Sequence, residues 1–345
     1  MNITENKVAS PKGDITLYTL VNAGGASVTL STLGAGIVSV VVPDKDGKLA
    51  DVVLGYENAA DYLYDGPCAG KVPGRYANRI AKGHLEVAGK VYSLAINNGP
   101  NALHGGPEGF QNQIWNGRAD GNSVVFTLFN ADGHEGYPGN MIVTARYTWS
   151  DDNVLSLELK AVSDADTVVN LTNHAYFNLD GHDAGSILNH RLLLNADSYL
   201  PTDDTLIPVG APAPVAGTPM DFVASHAIGD AINVDFPALK YGKGYDNCWV
   251  IRPGEGVRTA AVLQSDKSGR TLEVLTDQPG VQVYTGNWLA GCPAGKGGAT
   301  YNDYDGVAIE CQAFPDAPNR PDFPSTLLKA GDTFKREIIF KFGKI

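Results

Sequence analysis

The chain has 345 residues, of which 43% are hydrophobic and 19% are charged. Its net charge of −12 argues against nucleic acid or an anionic membrane as a partner. No stretch approaches the ~18 consecutive apolar residues of a membrane span, and the N-terminus lacks the blocks of a secretory signal. Four cysteines without CxxC spacing are typical of reduced thiols, so we expect a cytoplasmic protein without a disulfide or metal site.

Alternating and continuous apolar runs predict short β-strands along the whole chain. In the first half they cover residues 15–21, 27–33, 37–42, 51–54, 84–87, 91–94, 124–129, 141–149 and 154–162. In the second half they cover residues 191–194, 246–251, 257–263, 271–275, 281–285, 307–311 and 335–342. Short helices are predicted over 57–64 and 223–232, and the Pro-, Ala- and Gly-rich stretch 205–219 is predicted to be a surface loop.

Turn residues join these runs into hairpins. Asp46-Gly47 and Gly89-Lys90 each separate two apolar runs, and 40 Gly with 20 Pro supply many further turns. We found no fixed-period repeat and no domain linker. The sequence therefore predicts an all-β protein, a large antiparallel β-sandwich that forms one domain over residues 1–345.

His174 lies in a segment rich in amides and aromatic rings, residues 170–181. An imidazole held by polar neighbours is a candidate proton donor. A buried histidine that satisfies its own hydrogen bonds is the more common case, because structural histidines outnumber catalytic ones. The segment alone leaves both interpretations open.

Glu310 interrupts an apolar strand. With a period of two, it shares a face with Ala308 and Gln312, whereas Ile309 and Cys311 face the other way. A carboxylate in such surroundings is costly to bury unless something pairs with it. Glu310 is therefore either matched to an Arg or Lys or performs a chemical function.

Other segments carry polar side chains suited to a polyhydroxylated ligand. Asn78 and Arg79 follow Pro73, and His104 lies beside glycines that allow a ligand to approach. Arg79 could instead simply neutralise an acid, and Asp246 at a strand start could be a turn cap.

Aromatic and glycine-rich segments give weaker signals. Gln282 and Tyr284 share a strand face, and Trp288 beyond them could stack on a sugar, although a single Trp more often belongs to a core. The sequence 295–297 resembles a phosphate loop but lacks its Ser/Thr, and no Gly-x-Ser-x-Gly motif of a serine hydrolase is present.

Taken together, the segments resemble the aldose 1-epimerase family, the galactose mutarotases. The motifs are, in chain order, Gly-Arg-Tyr-Ala-Asn-Arg-Ile (74–80), Leu-His-Gly-Gly (103–106), Thr-Asn-His-Ala-Tyr-Phe-Asn-Leu (172–179), Gly-Tyr-Asp (244–246), Gln-Pro-Gly-Val-Gln-Val-Tyr-Thr-Gly-Asn (278–287) and Glu-Cys-Gln-Ala-Phe-Pro-Asp-Ala-Pro-Asn (310–319). The resemblance implies a galactose mutarotase-like supersandwich with an open cleft for a free monosaccharide. It implies no cofactor, and we expect a monomer or weak homodimer.

The resemblance also implies roles for particular residues. His174 corresponds to the general acid and Glu310 to the general base. The positions that bind sugar hydroxyls are Asn78, Arg79, His104, Tyr176, Asp246 and Gln282. Two departures, Ala175 and Asn247, stand where Ser and His are common in the family and are expected to adjust hydroxyl contacts.

The implied chemistry needs two groups of opposite protonation. A base takes the proton from the C1 hydroxyl while an acid protonates the ring oxygen, so Glu310 is expected to start ionised and His174 protonated. The main alternative is a non-catalytic carbohydrate-binding β-sandwich. A glycoside hydrolase would need a second carboxylate, for which Asp246 is the remaining candidate, and a hexose-phosphate epimerase would be expected to add basic residues near the cleft.

Overall fold

The computed structural model describes residues 1–345 and consists almost entirely of strands joined by turns and short loops. The strands are β1 Asn2–Val8, β2 Ile15–Val21, β3 Ser27–Ser31, β4 Gly36–Pro43, β5 Leu49–Asp51, β6 Arg79–Ile80, β7 His84–Val87, β8 Lys90–Ser93, β9 Ala102–Leu103, β10 Asn116–Asp120, β11 Ser123–Asn130, β12 Met141–Trp149, β13 Val154–Ser163, β14 Thr167–Val168, β15 Tyr176–Phe177, β16 Arg191–Leu194, β17 Ala196–Tyr199, β18 Ala213–Pro214, β19 His226–Ala227, β20 Asp246–Ile251, β21 Arg258–Gln264, β22 Arg270–Thr276, β23 Gly280–Tyr284, β24 Val307–Gln312, β25 Leu327–Leu328 and β26 Thr333–Lys344. One α-helix, α1, spans Pro237–Gly242. The 3-10 helices are Ala59–Tyr64, Ala81–Gly83, Phe110–Asn112, His134–Gly136, Ile228–Asp230, Lys296–Gly298 and Ala317–Asn319.

Three large antiparallel sheets make up the architecture. The largest has nine strands in the order β10-β11-β12-β13-β26-β22-β21-β16-β19. A six-stranded sheet has the order β15-β24-β23-β20-β17-β18, and the first five strands form a meander in sequence order. The C-terminal strand β26 pairs with both β13 and β22, so the chain ends in the middle of its largest sheet. The predicted all-β antiparallel sandwich is confirmed.

Most strand predictions are confirmed, several of them residue for residue, as for 15–21 and 141–149. The strand predicted over 51–54 is wrong: β5 ends at Asp51, and Val53 makes only an isolated bridge to Phe177. The surface-loop prediction for 205–219 needs a small correction, because it includes β18.

The two helix predictions have different outcomes. The segment 57–64 does form a helix, of the 3-10 type, over Ala59–Tyr64. The helix over 223–232 is wrong, because β19 pairs there with β16 and only a 3-10 turn follows at Ile228–Asp230. The α-helix begins later, at Pro237, where a missing backbone N–H costs nothing.

The core lies between the sheets, and it explains the burial of β24. A cluster of 60 buried residues joins side chains of all three large sheets. Ile309 and Cys311 belong to it, whereas Ala308 belongs to a separate cluster on the opposite face. Every residue of β24 is buried, so Glu310 points away from the main core into a second enclosed region. The predicted division of this strand into two faces is confirmed.

The six-stranded sheet brings distant parts of the chain into register at that second face. Tyr176 of β15 lies opposite Ala308, and Glu310 lies opposite Gln282 of β23. Asp246 of β20 lies opposite Tyr284. Antiparallel pairing thus places residues from four strands side by side.

Two further features concern the cysteines and the helices. All four cysteines are free. No helix has both the length and the apolar character that crossing a bilayer requires.

Candidate active site

The side chains of His174 and Glu310 lie next to each other on the face of the six-stranded sheet that borders a cavity. His174 Nε2 lies 3.4 Å from Glu310 Oε1, and both side chains are almost fully buried. No Arg or Lys pairs with Glu310, so the interpretation as an ordinary structural ion pair is wrong. Glu310 Oε2 and His174 Nδ1 have no hydrogen-bond partner. The carboxyl and the imidazole are therefore held close together, and each keeps one atom free to form a further hydrogen bond.

A cavity of about 690 Å³ opens over this pair. Its volume falls within the ~300–1,000 Å³ that is usual for small-molecule sites. The predicted site residues that line it are Asn78, Arg79, His104, His174, Tyr176, Asp246 and Glu310. The predicted Gln282 does not line the cavity; its amide donates to Asp246 Oδ1 at 2.7 Å. Gln282 therefore fixes a cavity residue, which corrects the expectation of direct sugar contact.

The backbone of His174 is fixed by hydrogen bonds on both sides. Its N–H donates to Lys71 O, and its carbonyl accepts from Gly70 N–H, both at 2.9 Å. The Asn173 amide donates to Gly70 O at 2.6 Å and so ties the same two segments together. The imidazole then lies among aromatic rings, with the Tyr176 ring centroid 5.1 Å away. An irregular segment outside any long strand thereby holds one ring in a fixed position.

His104 stands next to His174, and a backbone hydrogen bond sets its tautomer. Its Nδ1 accepts from the Asn78 N–H at 3.0 Å, so the neutral ring carries its proton on Nε2. The two imidazole centroids lie 5.3 Å apart in an edge-on arrangement. His104 can therefore donate a hydrogen bond into the cavity.

The same hydrogen bond bears on metal binding. Ligand atoms of His104, His174 and Glu310 lie within 4.8 Å of one another, a separation that a metal ion could bridge. A metal would need a lone pair on the Nε2 of His104, which the backbone N–H at Nδ1 disfavours. The donor set does not fit a metal well, and we retain the prediction that no metal is bound.

Arg79 and Asp246 form the polar wall opposite the histidines. Arg79 Nη2 lies 3.5 Å from Asp246 Oδ2, and Arg79 Nε donates to Asn98 Oδ1 at 3.0 Å. Arg79 therefore neutralises an acid, as one interpretation expected, and it also lines the cavity, so contact with a sugar stays a prediction. Asp246 is held by Arg79 and Gln282, so a simple turn cap does not describe it.

Burial shifts the protonation of the central groups. It raises the pKa of Glu310 well above its ordinary value, with the charge of Asp246 acting in the same direction and Arg79 opposing it. Burial lowers the pKa of His174 to about 4. The backbone of His174 itself acts against this shift, and the charge of Lys71 lowers the pKa further. The pKa of His104 is lowered well below its ordinary value by burial and by the charges of His174 and Arg79. These directions oppose the ionised Glu310 and protonated His174 that ordinary pKa values predict.

Several cavity residues escaped the sequence analysis. Gly66, Pro67, Asp204, Thr205 and Leu206 are among the lining residues of the cavity. Thr205 and Leu206 begin the stretch that was predicted to be a surface loop, and Asp204 directly precedes it. No local pattern marks either segment, because only tertiary docking brings them to the cavity.

Two residues highlighted by the sequence do not reach the cavity. Ala175 belongs to the main core, and Asn247 is buried opposite Val283 on the core side of its sheet. The expectation that they adjust hydroxyl contacts is therefore not supported. Trp288, in contrast, lines the cavity and is 64% exposed, with Lys243 Nζ 4.3 Å from its ring centroid.

A β-sandwich with a carboxyl–imidazole pair in a polar cavity has the groups that acid–base chemistry on a small polar substrate would need. Residues 16–341 match the family model described as aldose 1-epimerase. The chain belongs to this family, whose members are isomerases, and the resemblance noted from the motifs is confirmed.

Relatives align over nearly the whole chain. It is 43% identical to human galactose mutarotase over 316 residues, which cover 92% of this chain and 91% of that protein. It is 36% identical to the aldose 1-epimerase of Escherichia coli K12 over 345 residues, 99% of each chain. The crystal structure of galactose 1-epimerase from Lactobacillus acidophilus superposes with a TM-score of 0.86 at 32% identity and 99% coverage of each chain.

Proposed function

We propose that this enzyme interconverts the α and β anomers of free aldohexoses such as D-galactose and D-glucose. In this proposal Glu310 is the base and His174 the acid. The observation that carries it is the 3.4 Å approach of His174 Nε2 to Glu310 Oε1 inside a cavity with room for a pyranose. The hydroxyl oxygen O1 and the ring oxygen O5 are bonded to the same carbon, so an acid and a base that serve them must be neighbours.

The proposed reaction moves two protons and breaks one ring bond. Glu310 takes the O1 proton, O1 becomes the carbonyl oxygen, and the C1–O5 bond breaks with its electron pair on O5. His174 gives its proton to O5. After rotation about C1–C2, O5 attacks the other face of the aldehyde, His174 recovers its proton and Glu310 returns the other to O1.

One proton on the pair suffices for the whole cycle. Burial favours the form with a neutral imidazole and a protonated carboxyl, and moving that proton to His174 gives the ionic form that opens the ring. Sugar hydroxyls that donate to Glu310 would favour its ionised state. Substrate binding therefore supports the protonation order that the reaction needs.

The surrounding residues provide contacts for hydroxyl groups. Asn78, Arg79, Tyr176 and Asp246 line the cavity, and the Nε2–H of His104 is available as a donor. We propose that these groups bind and orient the sugar, with neutral and charged hydrogen bonds each contributing about 0.5–3 kcal/mol. Gln282 contributes by holding Asp246.

Polarimetry of freshly dissolved α-D-glucose or α-D-galactose tests the activity. The enzyme is expected to accelerate the approach to equilibrium rotation. The variants Glu310→Gln and His174→Asn should each lose about 10²–10⁴-fold in kcat while sugar binding survives. Matched controls are Glu86→Gln and His84→Asn, both exposed on β7 and outside the cavity, which should retain full activity. Wild-type turnover in either cavity variant would refute the assigned role.

The same measurement separates the alternatives. An unchanged optical drift with sugar binding intact would support a non-catalytic carbohydrate-binding protein. A glycoside hydrolase is disfavoured because its second carboxylate would have to be Asp246, which Arg79 and Gln282 already engage. The monomeric or weakly dimeric state, the cytoplasmic location and the lack of a nucleic-acid partner remain predictions, the first of which sedimentation equilibrium would test.

A further inference from the structure

A buried ion pair closes the segment of residues 65–71, here called the 65–71 loop. The Lys71 ammonium contacts the Asp65 carboxylate, and the two side chains are 1% and 0% exposed. Lys71 Nζ also donates to Tyr62 O at 2.6 Å. The second carboxylate oxygen of Asp65 accepts from the Ala69 N–H at 2.6 Å and from the Tyr56 hydroxyl at 3.2 Å. The charges at the two ends of the loop are thus fully enclosed and hydrogen-bonded.

The 65–71 loop contacts the candidate active site at three points. Pro67 O accepts from the Tyr176 hydroxyl at 2.9 Å. Lys71 O accepts from His174 N–H, and Gly70 N–H donates to His174 O, both at 2.9 Å. The loop therefore holds the backbone of one cavity residue and the side-chain tip of another.

We propose that the Asp65–Lys71 ion pair is a positioning element of the active site, which fixes the 65–71 loop and, through it, the His174 imidazole and the Tyr176 hydroxyl. Neither Asp65 nor Lys71 lines the cavity, so neither touches the sugar. The inference rests on the proposed role of His174 as the acid.

The backbone around Gly70 shows how tightly this end of the loop is held. Gly70 has a positive φ of 73°, and a Cβ there would lie 1.9 Å from the carbonyl oxygen of Ile37 in β4. The loop therefore packs backbone against backbone on a strand of the five-stranded sheet. A small displacement of Lys71 cannot be absorbed on that side and is transmitted to His174.

Stability alone is a weak reason for such a pair. Burial raises the pKa of Asp65, while Lys71 and the hydrogen bonds from Ala69 and Tyr56 oppose this rise. Replacing both partners of a buried pair by well-packed uncharged residues of similar volume is often neutral or even stabilising, whereas removing one partner is strongly destabilising. A pair buried under these conditions is better explained by the geometry that it imposes.

The charge of Lys71 also acts on His174. Glu310 faces this imidazole from β24, and His104, Tyr176 and Tyr284 face it as rings. Behind it, the charge of Lys71 lowers the pKa of His174. Loss of the Lys71 charge should therefore raise this pKa, which gives a readout of the pair at His174 that does not depend on activity.

The experiment compares Asp65→Asn, Lys71→Met and the double variant with the wild type. Polarimetry gives kcat and KM, and NMR titration of the His174 imidazole gives its pKa without reference to activity. A displacement of about 1 Å can cost about 10²-fold. We expect the double variant to lose roughly 10–100-fold in kcat with KM changed by less than about threefold. Lys71→Met should raise the pKa of the imidazole.

A second, partly buried ion pair provides the control. Lys296 Nζ lies 2.5 Å from Asp51 Oδ2, with side chains 17% and 15% exposed, and neither residue lines the cavity. The double variant Asp51→Asn/Lys296→Met should change stability but leave kcat and the His174 titration at wild-type values.

Two results would overturn the positioning role, and a third would overturn the proposed function. A folded Asp65→Asn/Lys71→Met variant with wild-type kcat and imidazole titration would overturn the positioning role. So would a double variant that fails to fold while the control pair folds, since the pair would then be a stability element. If His174→Asn itself keeps wild-type turnover, the proposed function fails instead, and the two failures are distinguishable.

Discussion

Replacing Glu310 by Gln is expected to stabilise the fold at alkaline pH while it removes activity. Burial raises the pKa of this carboxyl far above its ordinary value, and its Oε2 has no partner. In the unfolded chain the group titrates at about 4.3. When folding raises the pKa of a group, that group contributes stability that is fully present below its unfolded-state pKa. This stability is lost as the pH rises toward the folded-state pKa. A glutamine has no such dependence.

The size of the effect follows from what surrounds the carboxylate. A buried polar atom without a partner costs about 1–3 kcal/mol, and a charged one costs more. Arg79 opposes the shift only weakly because Asp246, 3.5 Å away, and Asn98 engage its guanidinium. We therefore expect Glu310→Gln to gain about 1–3 kcal/mol in the free energy of unfolding at about pH 8 and to gain almost nothing near pH 4.5.

Urea unfolding followed by tryptophan fluorescence at both pH values measures this difference. In thermal melts the gain should correspond to roughly 2 °C per kcal/mol for a chain of this size. Glu86→Gln, an exposed carboxyl replaced in the same way, should show no pH-dependent gain. Equal stability differences at the two pH values, or a Gln variant that is less stable at pH 8, would refute the reasoning.

Two further variants probe the cavity wall. Asp246→Asn should move the alkaline limb of the kcat/KM profile to lower pH, because the charge of Asp246 raises the pKa of Glu310; an unmoved limb would contradict this coupling. Trp288→Ala should raise KM about 2- to 10-fold with kcat unchanged, because stacking contributes about 0.5–1.5 kcal/mol; an unaltered KM would show that this exposed ring does not touch the sugar.

The strands could be predicted because alternation records burial directly. In β12 every second residue is buried, and its predicted bounds are those of the structure. The two faces of β24 were also readable, since a carboxylate flanked by Ile309 and Cys311 marks a surface other than the core. Where tertiary contacts decide the pairing, local patterns gave wrong bounds, as at β5, or the wrong element, as at β19.

The site was only partly predictable for the same reason. Motifs identified the residues that carry chemistry, and the structure brings most of them to one cavity. The contribution of the 65–71 loop and of residues 204–206 depends on docking between segments distant in sequence, which no local composition reveals. The pKa shifts of Glu310 and His174 could not be predicted, because ordinary pKa values ignore the burial that the fold imposes on both groups.

The burial of this pair has a consequence for a reversible reaction. Mutarotation runs in both directions between anomers of similar energy, and ring closure is the reverse of ring opening on either face of the aldehyde. In the proposed reaction, opening starts from the ionic form of the pair and closure from its neutral form, so the ionic form must be accessible when the sugar is bound. Burial alone favours the neutral form of His174 and Glu310, and the Lys71 charge behind the imidazole does so too. The hydroxyls of a bound sugar supply the opposing contribution, so the ionic form becomes accessible when there is a ring to open.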